Sequence, residues 1–175
     1  MSLCLNGTIC YLRGSEEISV SIIHLEGEYS IKQAIELADQ FLEHDSQRVF
    51  FLIGRTGIGK DYALRELFKK KQLEYIDLNH YPNIEERIEM RLADNPTRLH
   101  LWRDVALSVF QDKKVSDKLA KIDNNETLFR GKLIISATSY ESDNSESFSL
   151  PRGAWVHIDN TAMINIIEKS LKKES

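Results

Sequence analysis

A chain of 175 residues with 42% hydrophobic content is long enough to bury one sizeable core, so a single domain is expected. Its 23 basic and 27 acidic residues give a net charge of −4, which argues against a broad electrostatic grip on nucleic acid. Cys4 and Cys10 have no histidine or cysteine at zinc-ligand spacing, and no apolar run reaches the length of a membrane span. We expect a reduced, cytoplasmic protein without membrane association.

The first 29 residues are predicted to form a small β-hairpin appended to the main domain, which spans residues 30–175. The segments TICYLR and ISVSIIHL are rich in β-branched residues and flank the turn GSEE. Beyond them, apolar residues recur at helical spacing through SIKQAIELADQFLEH. Ser30 is expected to cap this helix.

Strands and helices alternate through the main domain. Apolar runs predict strands over residues 48–54, 73–79, 97–104, 131–139 and 154–159. Helical spacing predicts helices from Gly59 through KDYALRELFKKK and over residues 83–93, 105–122 and 161–175. The polar stretch SYESDNSESFS is predicted to be an exposed loop. This order indicates a three-layer α/β fold with a mainly parallel, five-stranded sheet.

The segment GRTGIGKD, residues 54–61, has the pattern of a phosphate-binding loop. Gly54, Gly59 and Lys60 satisfy G-x-x-x-x-G-K between an apolar strand and a helix. Glycines let the backbone fold around an anion with its amide hydrogens inward, and the lysine reaches the outer phosphates. The predicted cofactor is ATP or ADP, with or without magnesium. A glycine-rich turn with a solvated lysine is the alternative.

Asp61 stands where a serine or threonine usually binds magnesium directly. A carboxylate can hold the metal through a water molecule, but it also adds repulsion close to phosphates. Asp61 is therefore a candidate both for nucleotide binding and for magnesium binding.

The loop resembles that of the AAA+ domain in bacterial sigma-54-dependent transcription activators, G-E-[S/T]-G-x-G-K-[E/D], where an acid at this position is normal. The residues that fit this pattern are Thr56, Gly57, Gly59, Lys60 and Asp61. The strand LIISATS is similar to the family's sensor strand: Thr138 matches its threonine, and Ser139 stands at the place of its asparagine. The resemblance covers about residues 45–160 and implies a P-loop, AAA+-like fold. The nucleotide contacts it implies are Gly54, Arg55, Thr56, Gly57, Ile58, Gly59, Lys60, Asp61 and Ser139.

The chain departs from this family at the end of the third strand. The family has Asp-Glu there, the acids that bind metal and activate water, whereas LHLWRD offers Trp102 and Arg103. Asp104 takes over as catalytic and metal-binding acid only if the strand slips by a residue or two. Little or no ATP hydrolysis is therefore expected. The family's GAFTGA loop has no counterpart in residues 79–95, so direct remodelling of sigma-54 is not expected.

These features predict a hydrolysis-deficient, AAA+-like regulatory or protein-interaction module that binds ATP or ADP. The resemblance suggests bacterial transcription regulation, through a protein partner and with head-to-tail self-association as an option. Direct DNA binding is not expected, since only about fifteen residues follow Asn160 and a two-helix reader needs more. The alternatives are a weakly active ATPase with Asp104 as metal acid, a P-loop kinase, and a structural binding domain with an empty loop. His100 is predicted to be a core histidine.

Overall fold

The sheet of this protein is entirely parallel. The structure is a computed structural model that describes residues 22–26, 29–138 and 153–159. Within these ranges, six strands pair side by side in the order β1-β6-β2-β5-β4-β3. They are β1 Ile22–Glu26, β2 Val49–Gly54, β3 Tyr75–Asp77, β4 Leu99–Ala106, β5 Lys132–Thr138 and β6 Ala154–Asp159.

Four helices cover the described part of the sheet, two on each face. One pair is α1 Ser30–Glu43 and α2 Lys60–Lys70, and the other is α3 Ile84–Asp94 and α4 Lys113–Asp123. The buried residues of β2 alternate between the two cores: Phe50 and Leu52 pack with α1 and α2, while Phe51 and Ile53 pack with α3 and α4. The result is the expected three-layer α/β arrangement. No helix in the described ranges is long and apolar enough to cross a membrane.

The strand β1 belongs to the main sheet and lies at its edge. It pairs in parallel with β6, from Ile22 opposite Trp155 to Glu26 opposite Asp159. The sheet therefore has six strands where five were predicted. The first strand of the predicted hairpin, the SYESDNSESFS loop and the helix predicted over 161–175 lie outside the described residues.

The helix α1 begins without the predicted serine cap. Tyr29 is the N-cap residue and makes no side-chain cap hydrogen bond. Ser30 is instead the first helical residue, fully buried, and its Oγ has no hydrogen-bond partner among the described groups. The cap prediction was wrong because Ser30 is drawn into the core one position after the helix boundary.

A β-bulge lengthens β4 past its predicted end. Trp102 lies opposite Ile135 and Val105 opposite Ala137, so two residues of β4 face one residue of β5. Asp104, inside the bulge, has a φ of +54°, in the left-handed region that non-glycine residues seldom adopt. The backbone stays extended beyond it.

The single helix predicted over 105–122 is consequently wrong. The strand continues to Ala106, a short 3₁₀ helix follows over Leu107–Gln111, and α4 begins only at Lys113. The carboxylate of Asp112 sets this boundary, because it accepts the backbone N–H of Lys114 at 2.8 Å. Apolar spacing alone did not separate the strand end from the helix.

A buried carboxylate joins the end of α4 to the start of β2. Oδ1 of Asp123 accepts the backbone N–H groups of Arg48 and Val49, both at 3.0 Å. Asp123 is only 7% exposed, and Val49 is fully buried. The Arg48 side chain adds hydrogen bonds to Asn125 Oδ1 and the Arg130 carbonyl, each at 2.8 Å. The strand that carries the glycine-rich loop is thus anchored at its first residues.

Candidate phosphate-binding site

The glycine-rich loop leaves the sheet at a reversal of its strand order. β2 lies between β5 and β6; the strand that follows β2 in the chain, β3, lies beyond β5, whereas the strand that follows β5, β6, lies on the other side of β2. Gly54 and Thr138, the last residues of β2 and β5, are register partners. Ligands of open α/β sheets bind in such crevices at the carboxyl ends of the strands. The topology places residues 54–61 in the position typical of a ligand site.

The loop backbone has the conformation that its glycines permit. Gly57 and Gly59 have φ angles of +80° and +91°, and Gly59 is the N-cap of α2 without a side-chain cap hydrogen bond. A Cβ built on Gly57 meets no heavy atom within 4 Å. In the described chain, the backbone N–H groups of residues 56–61 have no backbone acceptor. Thr56, Gly57 and Gly59 are exposed, so these donors lie on a solvent-accessible loop at a helix N-terminus.

Lys60 is a buried cation held by the loop itself. Its side chain is 6% exposed, and Nζ donates to the carbonyl oxygens of Gly54 and Arg55, both at 2.8 Å. Burial lowers the pKa of Lys60 below its usual range, while the charges of Asp61 and Asp104 act in the opposite direction. The ammonium is therefore fixed over the start of the loop by two neutral acceptors.

The remaining loop residues are also close together. Arg55 and Ile58 are half-buried, and a Cβ on Gly54 would lie 2.5 Å from Ile58 Cδ1, so a larger residue at position 54 would require the Ile58 side chain to move. Asp61 is the first acidic residue of α2, and its Oδ1 is buried without a hydrogen-bond partner among the described groups. Ser139, predicted as the phosphate sensor, lies outside the described residues.

An ion pair that the sequence analysis missed lies at the ends of β3 and β4. The guanidinium of Arg103 donates twice to Asp77 Oδ2, from Nε at 3.0 Å and from Nη2 at 2.7 Å. The Asn79 side chain clamps the backbone of Arg103, accepting its N–H at 2.7 Å and donating to its carbonyl at 2.8 Å. In the sequence, only the two polar residues Asp77 and Asn79 at the end of a predicted strand could have indicated this ion pair.

Asp104 lies in the bulge of β4, and its role as a metal-binding or catalytic acid stays a prediction. Asp104 is exposed. Its charge acts on Lys60 and on Arg103, and so does the charge of Asp61. The pKa of Arg103 is raised, first by the hydrogen bond to Asp77 and also by the charges of the neighbouring acids. The predicted residues Lys60, Asp61 and Asp104 are thus brought together, with Arg103 among them.

These residues suit a phosphate chain better than a magnesium ion. Unpaired loop N–H groups, a helix N-terminus and a fixed ammonium are the groups that bind phosphate oxygens. The described residues hold no group of three or more His, Cys, Asp or Glu side chains arranged for a metal ion. Magnesium at nucleotide sites is usually held by one or two carboxylates together with phosphate oxygens and water. A guanidinium lies among the carboxylates instead. The metal role predicted for Asp61 and Asp104 stays a prediction.

Comparisons with protein-family models and with curated proteins gave no match to this chain. The assignment of the site depends on its geometry and chemistry.

Proposed function

We propose that the protein binds the phosphate chain of ATP or ADP through residues 54–61 and acts as a regulatory module that hydrolyses ATP poorly or not at all. The observation that carries this proposal is the buried Lys60, whose Nζ is held at 2.8 Å by two loop carbonyls beside a helix N-terminus. The resemblance to the AAA+ loop agrees with it.

A buried ammonium is costly unless its charge is compensated. The two acceptors of Lys60 are neutral carbonyls, so they satisfy its hydrogen bonds but leave its charge to be balanced by more distant acids. A phosphate oxygen in the crevice supplies that charge and also accepts the loop N–H groups. The conformation is therefore prepared for an anion before the anion arrives.

Calorimetric titration of ATP and ADP into the wild type, Lys60→Ala and Lys69→Ala tests the proposal. Lys69 is exposed at the other end of the same helix and is the matched control. We expect micromolar binding by the wild type and the control, and none by Lys60→Ala. A ligand at about 100 times its Kd should also stabilise the fold by about 2.7 kcal/mol. Absence of binding by the folded wild type would leave an empty loop and defeat the proposal.

ATP hydrolysis distinguishes a nucleotide-binding regulatory module from an active ATPase. The end of β4 provides Trp102 and Arg103 instead of two acids, and the exposed Asp104 is the remaining candidate to activate water. We expect no steady-state phosphate release above that of the Lys60→Ala variant. Release that requires magnesium and disappears in Asp104→Asn would instead support the weak ATPase.

The regulatory role requires a partner surface, which we place near residues 80–96. Met90 is 53% exposed, and Leu128 is 80% exposed beside a cavity of about 510 Å³ lined by Glu89, Leu92 and the segment after α4. A second copy of the chain is one such partner. Sedimentation of the wild type and Leu128→Ser, each with and without ADP, tests it: a wild-type dimer lost in the variant supports self-association through this surface.

A further inference from the structure

The charges around the candidate site form an unusual set. Three carboxylates, Asp61, Asp77 and Asp104, and two cations, Lys60 and Arg103, interact at the carboxyl end of the sheet. Where a magnesium-dependent site keeps an acid on the strand, this chain has a base at position 103. The charge of the strand position is therefore reversed, while the helix begins with an acid at position 61.

Arg103 is held at a fixed position. Asp77 binds one side of its guanidinium through two hydrogen bonds, and the Asn79 side chain fixes its backbone from both the N–H and the carbonyl. The side chains of Arg103 and Asp77 are 23% and 16% exposed, so water screens this pair only in part. An arginine with two N–H groups on one partly buried carboxylate oxygen has lost most of its side-chain freedom before any ligand binds.

The guanidinium still has donors to offer. An arginine has five N–H groups. In the part of the chain that the structure describes, Asp77 engages only Nε and one N–H of Nη2. The remaining N–H groups can donate hydrogen bonds to an anion while Asp77 keeps its own contact. Arg103 lies in the bulge where β4 pairs with β5, and β5 pairs on its other side with β2, the strand that leads into the loop. The charges of Asp61 and Asp104 also act on this guanidinium.

We propose that Arg103 takes the place of the magnesium ion, so that the site binds nucleotide phosphates without a divalent metal. The inference rests on the proposed function and adds the identity of the second phosphate-binding cation. In it, Lys60 contacts the phosphate chain from the loop and Arg103 contacts it from β4. Arg103 is a binding residue with no role in hydrolysis, because a guanidinium does not activate water as a metal ion does.

A magnesium ion and the Arg103 guanidinium would have the same task at this site: each would place positive charge beside the phosphate oxygens while a carboxylate holds it. A magnesium ion near phosphates is held by carboxylates and neutralises the phosphate oxygens. Arg103 is held by a carboxylate and carries a permanent positive charge, because an arginine does not deprotonate in proteins. Its planar donors match phosphate oxygens in pairs. A divalent ion would have to compete with this guanidinium for the same carboxylates.

Titration of ADP in buffer with excess EDTA and again in buffer with magnesium tests the inference on the wild type, Arg103→Met and Arg98→Met. Arg98 is the matched control, because it also forms a 2.7 Å ion pair, with Glu74, but at the opposite end of β4. We expect the wild-type Kd to agree within about threefold between the two buffers. Loss of a charge-assisted contact should weaken ADP binding by Arg103→Met in EDTA by about tenfold or more. Arg98→Met should bind as the wild type does.

The outcomes separate this inference from the proposed function. If the folded wild type binds ADP in neither buffer, the phosphate loop itself fails. A second outcome is that the wild type binds ADP only with magnesium, and that Asp104→Asn abolishes binding while Arg103→Met does not. The loop then binds ADP, but magnesium is its second phosphate-binding cation, and the inference is overturned. Circular dichroism checks that each variant folds. Should Arg103→Met not fold, Arg103→Lys replaces it: the inference then requires retained binding in EDTA with at least a severalfold loss, and unchanged affinity overturns it.

Discussion

Removal of the Asp123 side chain should destabilise the fold at the start of the strand that carries the phosphate loop. The carboxylate accepts the N–H groups of Arg48 and Val49 at 3.0 Å, and Asp123→Ala leaves both donors without it. Val49 is fully buried, so its N–H should cost about 2 kcal/mol when unsatisfied. The half-buried Arg48 can reach water, and we assign it about 1 kcal/mol. The expected loss is about 3 kcal/mol, a large share of a typical stability.

The conservative variant Asp123→Asn retains an acceptor oxygen and loses only the charge. Because hydrogen bonds to charged groups are about twice as strong as neutral ones, we expect a loss of about 1 kcal/mol. Urea unfolding followed by circular dichroism measures both values, with an unchanged m-value as the sign of a two-state comparison. For a domain of this size, the alanine variant should melt about 6 to 12 °C lower.

A result in which Asp123→Asn loses as much as Asp123→Ala would refute this reasoning, because the acceptor oxygen would then contribute nothing. A loss below about 0.5 kcal/mol in Asp123→Ala would do the same, since it would mean that water satisfies the donors. Neither result bears on the phosphate site. The loop lies at the other end of β2, so Asp123→Asn should bind ADP with wild-type affinity.

Three further predictions concern other positions. His100 is fully buried, and its pKa is lowered mainly by burial. Because the unfolded chain takes up a proton near pH 6.5 more readily than the folded protein does, the free energy of unfolding should fall as the pH drops below about 6.5. The free energy of unfolding of His100→Asn should depend less on pH. Gly131→Ala places a Cβ against the carbonyl of Arg98 and should prevent stable folding, whereas Gly57→Ala, with open space around it, should cost about 1 to 2 kcal/mol by thermal melting. Burial lowers the pKa of Lys132 to about 8, so NMR titration should show its amine deprotonating there, with a stability contribution that improves as the pH rises from about 8 to 10.5.

Strands with strong local signals could be predicted from the sequence. The apolar run at 48–54 became Val49–Gly54, and the runs at 131–139 and 154–159 became Lys132–Thr138 and Ala154–Asp159. Each is a short, largely apolar stretch, which is typical of a buried parallel strand. The parallel sheet and its helical layers follow from the alternation of such strands with amphipathic segments.

The parts that could not be predicted depend on partners far away in the chain. β1 has the composition of a hairpin strand, and only its pairing with β6 makes it an edge of the main sheet. The bulge at Asp104 is a property of the register between β4 and β5, which periodicity does not record. The same holds for Arg103: its role depends on Asp77 in another strand. The candidate loop was predicted from its motif, whereas its surroundings were not.

The position of β6 has a consequence for how the domain is made. This strand lies between β1 and β2, yet it is translated after every other described strand. Until residues 154–159 emerge from the ribosome, the strand that carries the phosphate loop has one open edge, and β1 has no partner in the described sheet. A nascent or truncated chain that stops earlier therefore exposes the hydrogen-bonding edge of its central strand, the kind of surface that recruits other chains. The strand that leads into the glycine-rich loop is paired on both sides only when β6 is in place.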